Sequence, residues 1–146
     1  MNATVIDDST LVCDSPKLVS VNGDLWYNVS VTLDGAFISK ATGKFSYYDN
    51  PTIESVSPWL GPMSGNTESV IRGEGFTQKT ICDLTARYGM THLAPKDVSY
   101  TQMTVKSPPA ARPGQVVVSI SGNNQQFISD KTLHFRDKEN TFEYYQ

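Results

Sequence analysis

The stretch Ser57 to Phe76, SPWLGPMSGNTESVIRGEGF, constrains this chain most. Pro58, Gly61-Pro62, Ser64-Gly65, Gly73 and Gly75 fall within it. Proline fixes φ and lacks an N–H, so Pro58 and Pro62 suit an edge strand or a bend and exclude a helix interior. Ser64-Gly65-Asn66 reads as a tight turn. Thr67 to Arg72 is short and β-branched, with Ser69 and Ile71 on one face. Gly73-Glu74-Gly75 breaks that strand and delivers Phe76 as a core plug.

The order SP-x-x-GP-x-SG-x-T-x-x-x-I-x-G-x-x-F resembles the opening of an IPT/TIG domain, an immunoglobulin-like module of plexin-type receptors, some transcription factors and many large surface proteins. The resemblance implies an all-β, immunoglobulin-like sandwich. It departs from the pattern at Ser69, where the family usually has an aliphatic residue. Unrelated functions share this fold, so the resemblance speaks to architecture more than to activity.

Internal repetition sets the domain count. Leu11-Val12-Cys13-Asp14-Ser15-Pro16 matches Met103-Thr104-Val105-Lys106-Ser107-Pro108. Val29, Val31 and Leu33 match Val116, Val118 and Ile120, and Phe37-Ile38-Ser39 matches Phe127-Ile128-Ser129. Phe45-Ser46-Tyr47-Tyr48 matches Phe142-Glu143-Tyr144-Tyr145. Residues 1–49 are therefore read as the C-terminal half of a first module, and residues 50–146 as a complete second one. Half a sandwich leaves an apolar face and strand edges uncovered, so Met1 is expected to be internal to a larger protein or the start of a truncated one. The linker at Asp49-Asn50-Pro51 is short and ends in proline, implying stiff end-to-end stacking, and a third module is expected to follow.

The strand pattern agrees. Trp26 to Asp34 alternates, with Tyr27, Val29, Val31 and Leu33 on one face and Trp26, Asn28, Ser30 and Thr32 on the other. Gln115 to Ser121 repeats this with Val116, Val118 and Ile120 inward. No segment shows sustained helical periodicity, and turn signals recur at short intervals.

With 38% hydrophobic and 18% charged residues, the 146-residue chain has material for a β-rich core. A net charge of −3 disfavours a nucleic-acid surface. No run is long and apolar enough to insert in a membrane, and the N-terminus has no basic region followed by an apolar one. This segment thus carries no export signal of its own; either the protein is intracellular or a signal lies upstream.

Two cysteines are present. The plexin-like resemblance implies that Cys13, in Cys13-Asp14-Ser15-Pro16, pairs with a cysteine outside this chain. A free apolar thiol is the other reading of Cys13. For Cys82, whose expected partner position is Val105, the expectation is a buried free thiol acting as a small apolar side chain. Asn2-Ala3-Thr4 and Asn28-Val29-Ser30 are N-glycosylation sequons. Asn28 faces away from the apolar side, where a glycan projects into solvent. Trp59 is expected to pack on Tyr47 and Tyr48 and stiffen the junction; the alternative is an exposed aromatic for ligand contact.

No catalytic or cofactor-binding constellation is legible. His92 and His134 are isolated from metal-ligand patterns. Asp7-Asp8, Asp24 and Asp34 match no calcium loop, and Gly73-Glu74-Gly75 has no following lysine or helix to cradle a phosphate. The chain is accordingly read as a non-catalytic spacing, adhesion or protein-binding segment of a large extracellular or cell-surface protein. Its partners would be modules of the same long chain and a protein ligand. Alternatives are an intracellular filamin-like scaffold, a DNA-binding module disfavoured by the charge, and an accessory module beside a polysaccharide-acting enzyme.

Overall fold

The computed structural model describes residues 1–17, 26–40, 42–129 and 140–146. Twelve strands are found among them: β1 (Thr4–Asp7), β2 (Thr10–Val12), β3 (Trp26–Val29), β4 (Gly43–Ser46), β5 (Thr52–Ser57), β6 (Leu60–Pro62), β7 (Glu68–Glu74), β8 (Thr85–Tyr88), β9 (Thr91–Leu93), β10 (Gln102–Lys106), β11 (Gly114–Ser121) and β12 (Thr141–Tyr145). The described residues contain no helix, and the fold is all-β.

From Pro51 onward the described residues build two sheets. The first has the order β10-β7-β5, and the second β6-β12-β11-β8-β9. Alternation explains which side of each is apolar. In β11, Val118 and Ile120 are fully buried while Val117 is 49% exposed. In β7, Ser69 and Ile71 turn inward together, as the sequence predicts. Ile53, Val56, Ile71, Met103 and Val105 of the first sheet meet Ala86, Tyr88, Val118, Ile120, Phe142 and Tyr144 of the second in one cluster, with Phe76 plugging it. This is the face-to-face packing of an immunoglobulin-like sandwich.

Pro58 and Pro62 lie where their chemistry allows. The chain leaves β5 in the first sheet, passes the cis Ser57-Pro58 bond, and enters β6, an edge strand parallel to β12 in the second. The turn at Ser64-Gly65-Asn66 requires φ of 76° at Gly65 and 65° at Asn66. A side chain at Gly65 would also stand 2.7 Å from the Pro108 carbonyl carbon, so this glycine is needed twice over. The break expected from Gly73 comes two residues late: β7 continues through Glu74, and the turn begins at Gly75 with φ of 85°.

Residues 1–49 are organised differently. They contribute two separate two-stranded ribbons, β1-β2 and β3-β4. The continuous strand predicted from Trp26 to Asp34 ends at Val29, leaving Thr32 in an isolated bridge to Ile38. Beyond it the Asp34 carboxylate accepts from the N–H groups of Ala36 and Phe37 at 2.9 and 3.0 Å and turns the chain. Leu33, expected to share the apolar face, is instead 97% exposed in that turn.

Candidate functional site

Backbone pairings within residues 1–49 recur within residues 93–145. Thr4 pairs with Val12 as Lys96 bridges to Thr104. Tyr27 pairs with Phe45 as Val116 pairs with Phe142. The Ser39 N–H donates to the Val31 carbonyl at 2.8 Å, and the Ile128 N–H to the Ile120 carbonyl at 2.8 Å. Asp34 and Asn123 each gather two N–H groups in the turn that follows. The Tyr47 hydroxyl donates to the Pro16 carbonyl at 2.7 Å, and the Tyr144 hydroxyl to the Pro108 carbonyl at 2.9 Å. Even the rings agree, with Phe45–Tyr47 and Phe142–Tyr144 both 5.0 Å apart and close to edge-on.

These pairings correct the correspondence read from sequence. Val31, not Leu33, stands where Ile120 stands, a shift of two residues. A shift of two leaves every side chain on its original face, so alternation alone could not detect it. The return segment moves by one, and Ser39, not Ile38, matches Ile128.

The matched positions differ sharply in burial. Met103, Val118, Ile120 and Phe142 are all 0% exposed, whereas Leu11, Val29, Val31 and Phe45 are 41%, 41%, 38% and 40% exposed. Cys13 lies in the place of Val105 and is exposed, while Val105 is 1% exposed. Residues 1–49 therefore carry exposed apolar side chains at positions whose matches within residues 93–145 are buried. Asn28 is exposed in β3 opposite Lys44; Asn2, just ahead of β1, is also exposed.

Residues 46–49 are joined to the strands that follow by specific contacts. The Gln78 carboxamide clamps the backbone of Asp49: Nε2 donates to the Asp49 carbonyl at 2.7 Å, and the Asp49 N–H donates to Oε1 at 2.9 Å. The same Nε2 donates to the Gly75 carbonyl at 2.9 Å, tying the clamp to the turn after β7. The Ser46 hydroxyl donates to the Thr80 carbonyl at 3.1 Å. The Tyr48 ring lies over Gly122, where a Cβ would come within 2.9 Å of it and within 3.0 Å of Ile81. Sequence reading missed Gln78, whose role depends on the chain returning beside it, and no local signal marks it.

The structure redistributes the expected junction aromatics. Tyr48 is at the joint, and Tyr47 packs back against Tyr27 and Phe45. Trp59 follows the distal end of β5, roughly 20 Å along the strand from the joint, where its carbonyl accepts from the Glu143 N–H at 2.8 Å. It therefore does not stiffen this junction. Cys82 is exposed, contrary to its expected burial, while Thr80 in the same loop and Thr85 at the start of β8 are buried.

His92 is exposed in β9 and its ring lies tilted at 45° against that of Phe127, with centroids 4.9 Å apart. The Arg87 guanidinium covers the same Phe127 ring at 4.1 Å. His134 and Asp24 lie outside the described residues. Among the described residues no group of three or more His, Cys, Asp or Glu side chains is placed to hold a metal, and no helix is long and apolar enough to cross a membrane. Hydrogen bonds from the Phe37 and Ala36 amides hold the Asp34 carboxyl below its usual range, and bonds from Ser9 do the same for Asp7. Both carboxylates thus serve to close turns.

Residues 51–135 match a family model described as IPT/TIG domain. The match stops short of β12, which nonetheless supplies the strand between β6 and β11. Two solved structures of the plexin A4 full extracellular region, one of domains 1 to 8 and one of domains 1 to 10, resemble the chain with a TM-score of 0.56 and 15% identity. They cover 85% and 86% of this chain, which spans only 12% and 10% of theirs. At that identity the likeness concerns the fold. No curated protein matches the chain.

Proposed function

The chain belongs to the IPT/TIG domain family, and from that premise we propose that it is a non-catalytic spacing and recognition segment of a large multi-domain protein outside the cell or on its surface. The observation that carries this reading is the joint. Gln78 binds Asp49 through both ends of its carboxamide, and Tyr48 fills the space over Gly122, so one unit is held against the next by specific contacts. A freely jointed linker needs no such contacts; a spacer that sets the angle between modules does. Recognition would fall to loops and outer sheet faces, with a protein as ligand and modules of the same chain as neighbours. The plexin A4 structures are of an extracellular region, and the exposed Asn28 and Asn2 sequons suit that compartment.

Mapping the Asn28 peptide of the natural protein by mass spectrometry tests the compartment. The expected result is hexose-containing mass removable by an endoglycosidase, with Cys13 oxidised to a cysteine outside this chain. Unmodified Asn28 together with reduced Cys13 and Cys82 would overturn it in favour of an intracellular filamin-like scaffold.

A further inference from the structure

We propose that the outer face of the five-stranded sheet carries a binding site for a carboxylate side chain of a protein partner, built from Arg87, Phe127 and His92. This rests on the recognition role proposed above and gives that role a place and a ligand chemistry. Strand alternation assembles the site. Ala86 and Tyr88 of β8 and Val118 and Ile120 of β11 point into the core, so Arg87 and Ser119 between them face the other way. Arg87 pairs directly with Ser119 on one side and with His92 of β9 on the other. His92, Arg87 and Ser119 therefore form a row across β9, β8 and β11.

Ser119 faces outward and is nonetheless only 2% exposed, so something covers it. Arg87 Nε donates to Ser119 Oγ at 3.2 Å, and the guanidinium carbon lies 4.1 Å from the centroid of the Phe127 ring. The His92 ring stands 4.9 Å from that same ring. The arginine is thus fixed along its length, and much of the freedom that binding would cost a long side chain is already lost on folding. Its Nη groups are left over. Among the described residues no hydrogen bond reaches them and no carboxylate pairs with the charge. A half-buried guanidinium, covered by a ring and lacking a counter-charge, is a pre-formed fork for the two oxygens of a carboxylate.

Charge and surroundings select a protein carboxylate over other anions. The cluster holds one arginine and one imidazole, in a chain of net charge −3. Polyanions such as nucleic acids or sulfated polysaccharides need a track of cations, which this face does not present. Val117, two residues before Ser119 on the same face, is 49% exposed and adds apolar surface at the rim. Arginine stacked on an aromatic ring beside an aliphatic side chain is the composition of protein–protein hot spots. An aspartate or glutamate flanked by aliphatic residues fits it.

The test titrates the 146-residue chain with a capped peptide alternating glutamate and valine, followed by NMR at the Arg87 Nε–H, the Ser119 amide and the His92 ring. The expected result is saturable shifts at these groups with Kd on the order of 1 mM. The glutamine analogue should bind about tenfold or more weakly. Arg87→Gln should abolish the shifts at Ser119 and His92, and Arg87→Lys should bind several-fold more weakly because an ammonium lacks the fork. Phe127→Leu keeps the charge but loosens the guanidinium, and should also weaken binding several-fold, with thermal unfolding checking that each variant is folded. Equal shifts with the two peptides, or shifts that survive Arg87→Gln, overturn the proposal. Tighter binding of a sulfated oligosaccharide overturns it in favour of a glycan. A thermal midpoint lowered both by Arg87→Gln and by high salt would show the fork already paired within the chain, and overturns it too. Failure here leaves the spacing role standing, since that role rests on the Gln78 clamp and its compartment is tested at Asn28.

Discussion

The Ser69 hydroxyl, fully buried in β7, donates to the carbonyl of Pro58 at 2.8 Å. This bond explains how the strand tolerates serine where the family usually has an aliphatic side chain. It fastens the point at which the chain crosses from the first sheet to the second. Ser69→Ala leaves that carbonyl without its partner and is expected to cost about 1–2 kcal/mol. Urea unfolding of residues 50–146 measures it, and an unchanged midpoint would show that the crossing needs no fastening.

Neighbouring valines of β11 face opposite ways. Val118 is 0% exposed and Val117 49%. Val118→Ala should cost on the order of 1–3 kcal/mol from lost burial and the cavity left behind. Val117→Ala should cost well under half of that. Equal costs in chemical denaturation would refute the strand register.

Tyr88 is buried in the core with no hydrogen-bond partner for its hydroxyl. Burial pushes its pKa up to about 12 from an ordinary 10.0. The native state therefore holds this proton where the unfolded state has released it. The stabilisation is complete below pH 10 and falls away as pH rises from 10 toward 12, by roughly 2–3 kcal/mol in all. Tyr88→Phe removes both the titration and the orphaned hydroxyl. It should leave stability at pH 7 equal or slightly higher and flatten part of the loss above pH 10, as followed by thermal unfolding across pH. A slope unchanged by the substitution would assign the alkaline loss to other groups, Tyr144 first among them.

Gln78 sits outside the core yet holds the joint. Gln78→Ala removes its bonds to Asp49 and Gly75. Cleavage at Asp49-Asn50 by a low-specificity protease should accelerate several-fold, while unfolding of residues 50–146 shifts by about 1 kcal/mol at most. Glu, which keeps an acceptor but loses the donor, should rescue only part of the protection. Unchanged cleavage would mean that Tyr48 on Gly122 suffices.

Much of the fold was legible because its causes are local. Alternation in β11 and β7 separates inward from outward residues, since a strand points successive side chains to opposite faces whatever lies beyond. The proline and glycine positions of Ser57 to Phe76 similarly mark the crossing, the turn and the core plug, because backbone restrictions act within one or two residues. The candidate site was legible in part. Matched stretches in the sequence point to residues 1–49 as related to later strands, and the antiparallel pairs Tyr27–Phe45 and Val116–Phe142 have the same form.

Tertiary structure decided what locality cannot carry. The two-residue shift that matches Val31 to Ile120 came only from cross-strand pairing, since an even shift preserves every facing. Cys82 is exposed while Thr80 and Thr85 on either side of it are buried, a facing that an irregular stretch between strands does not fix by alternation. Trp59 lies a strand's length from the junction it adjoins in sequence, because β5 carries the chain away before delivering it. Gln78, silent in the sequence, became the clamp once folding returned Asp49 to its side: a hydrogen bond between residues far apart in the chain leaves no local pattern to read.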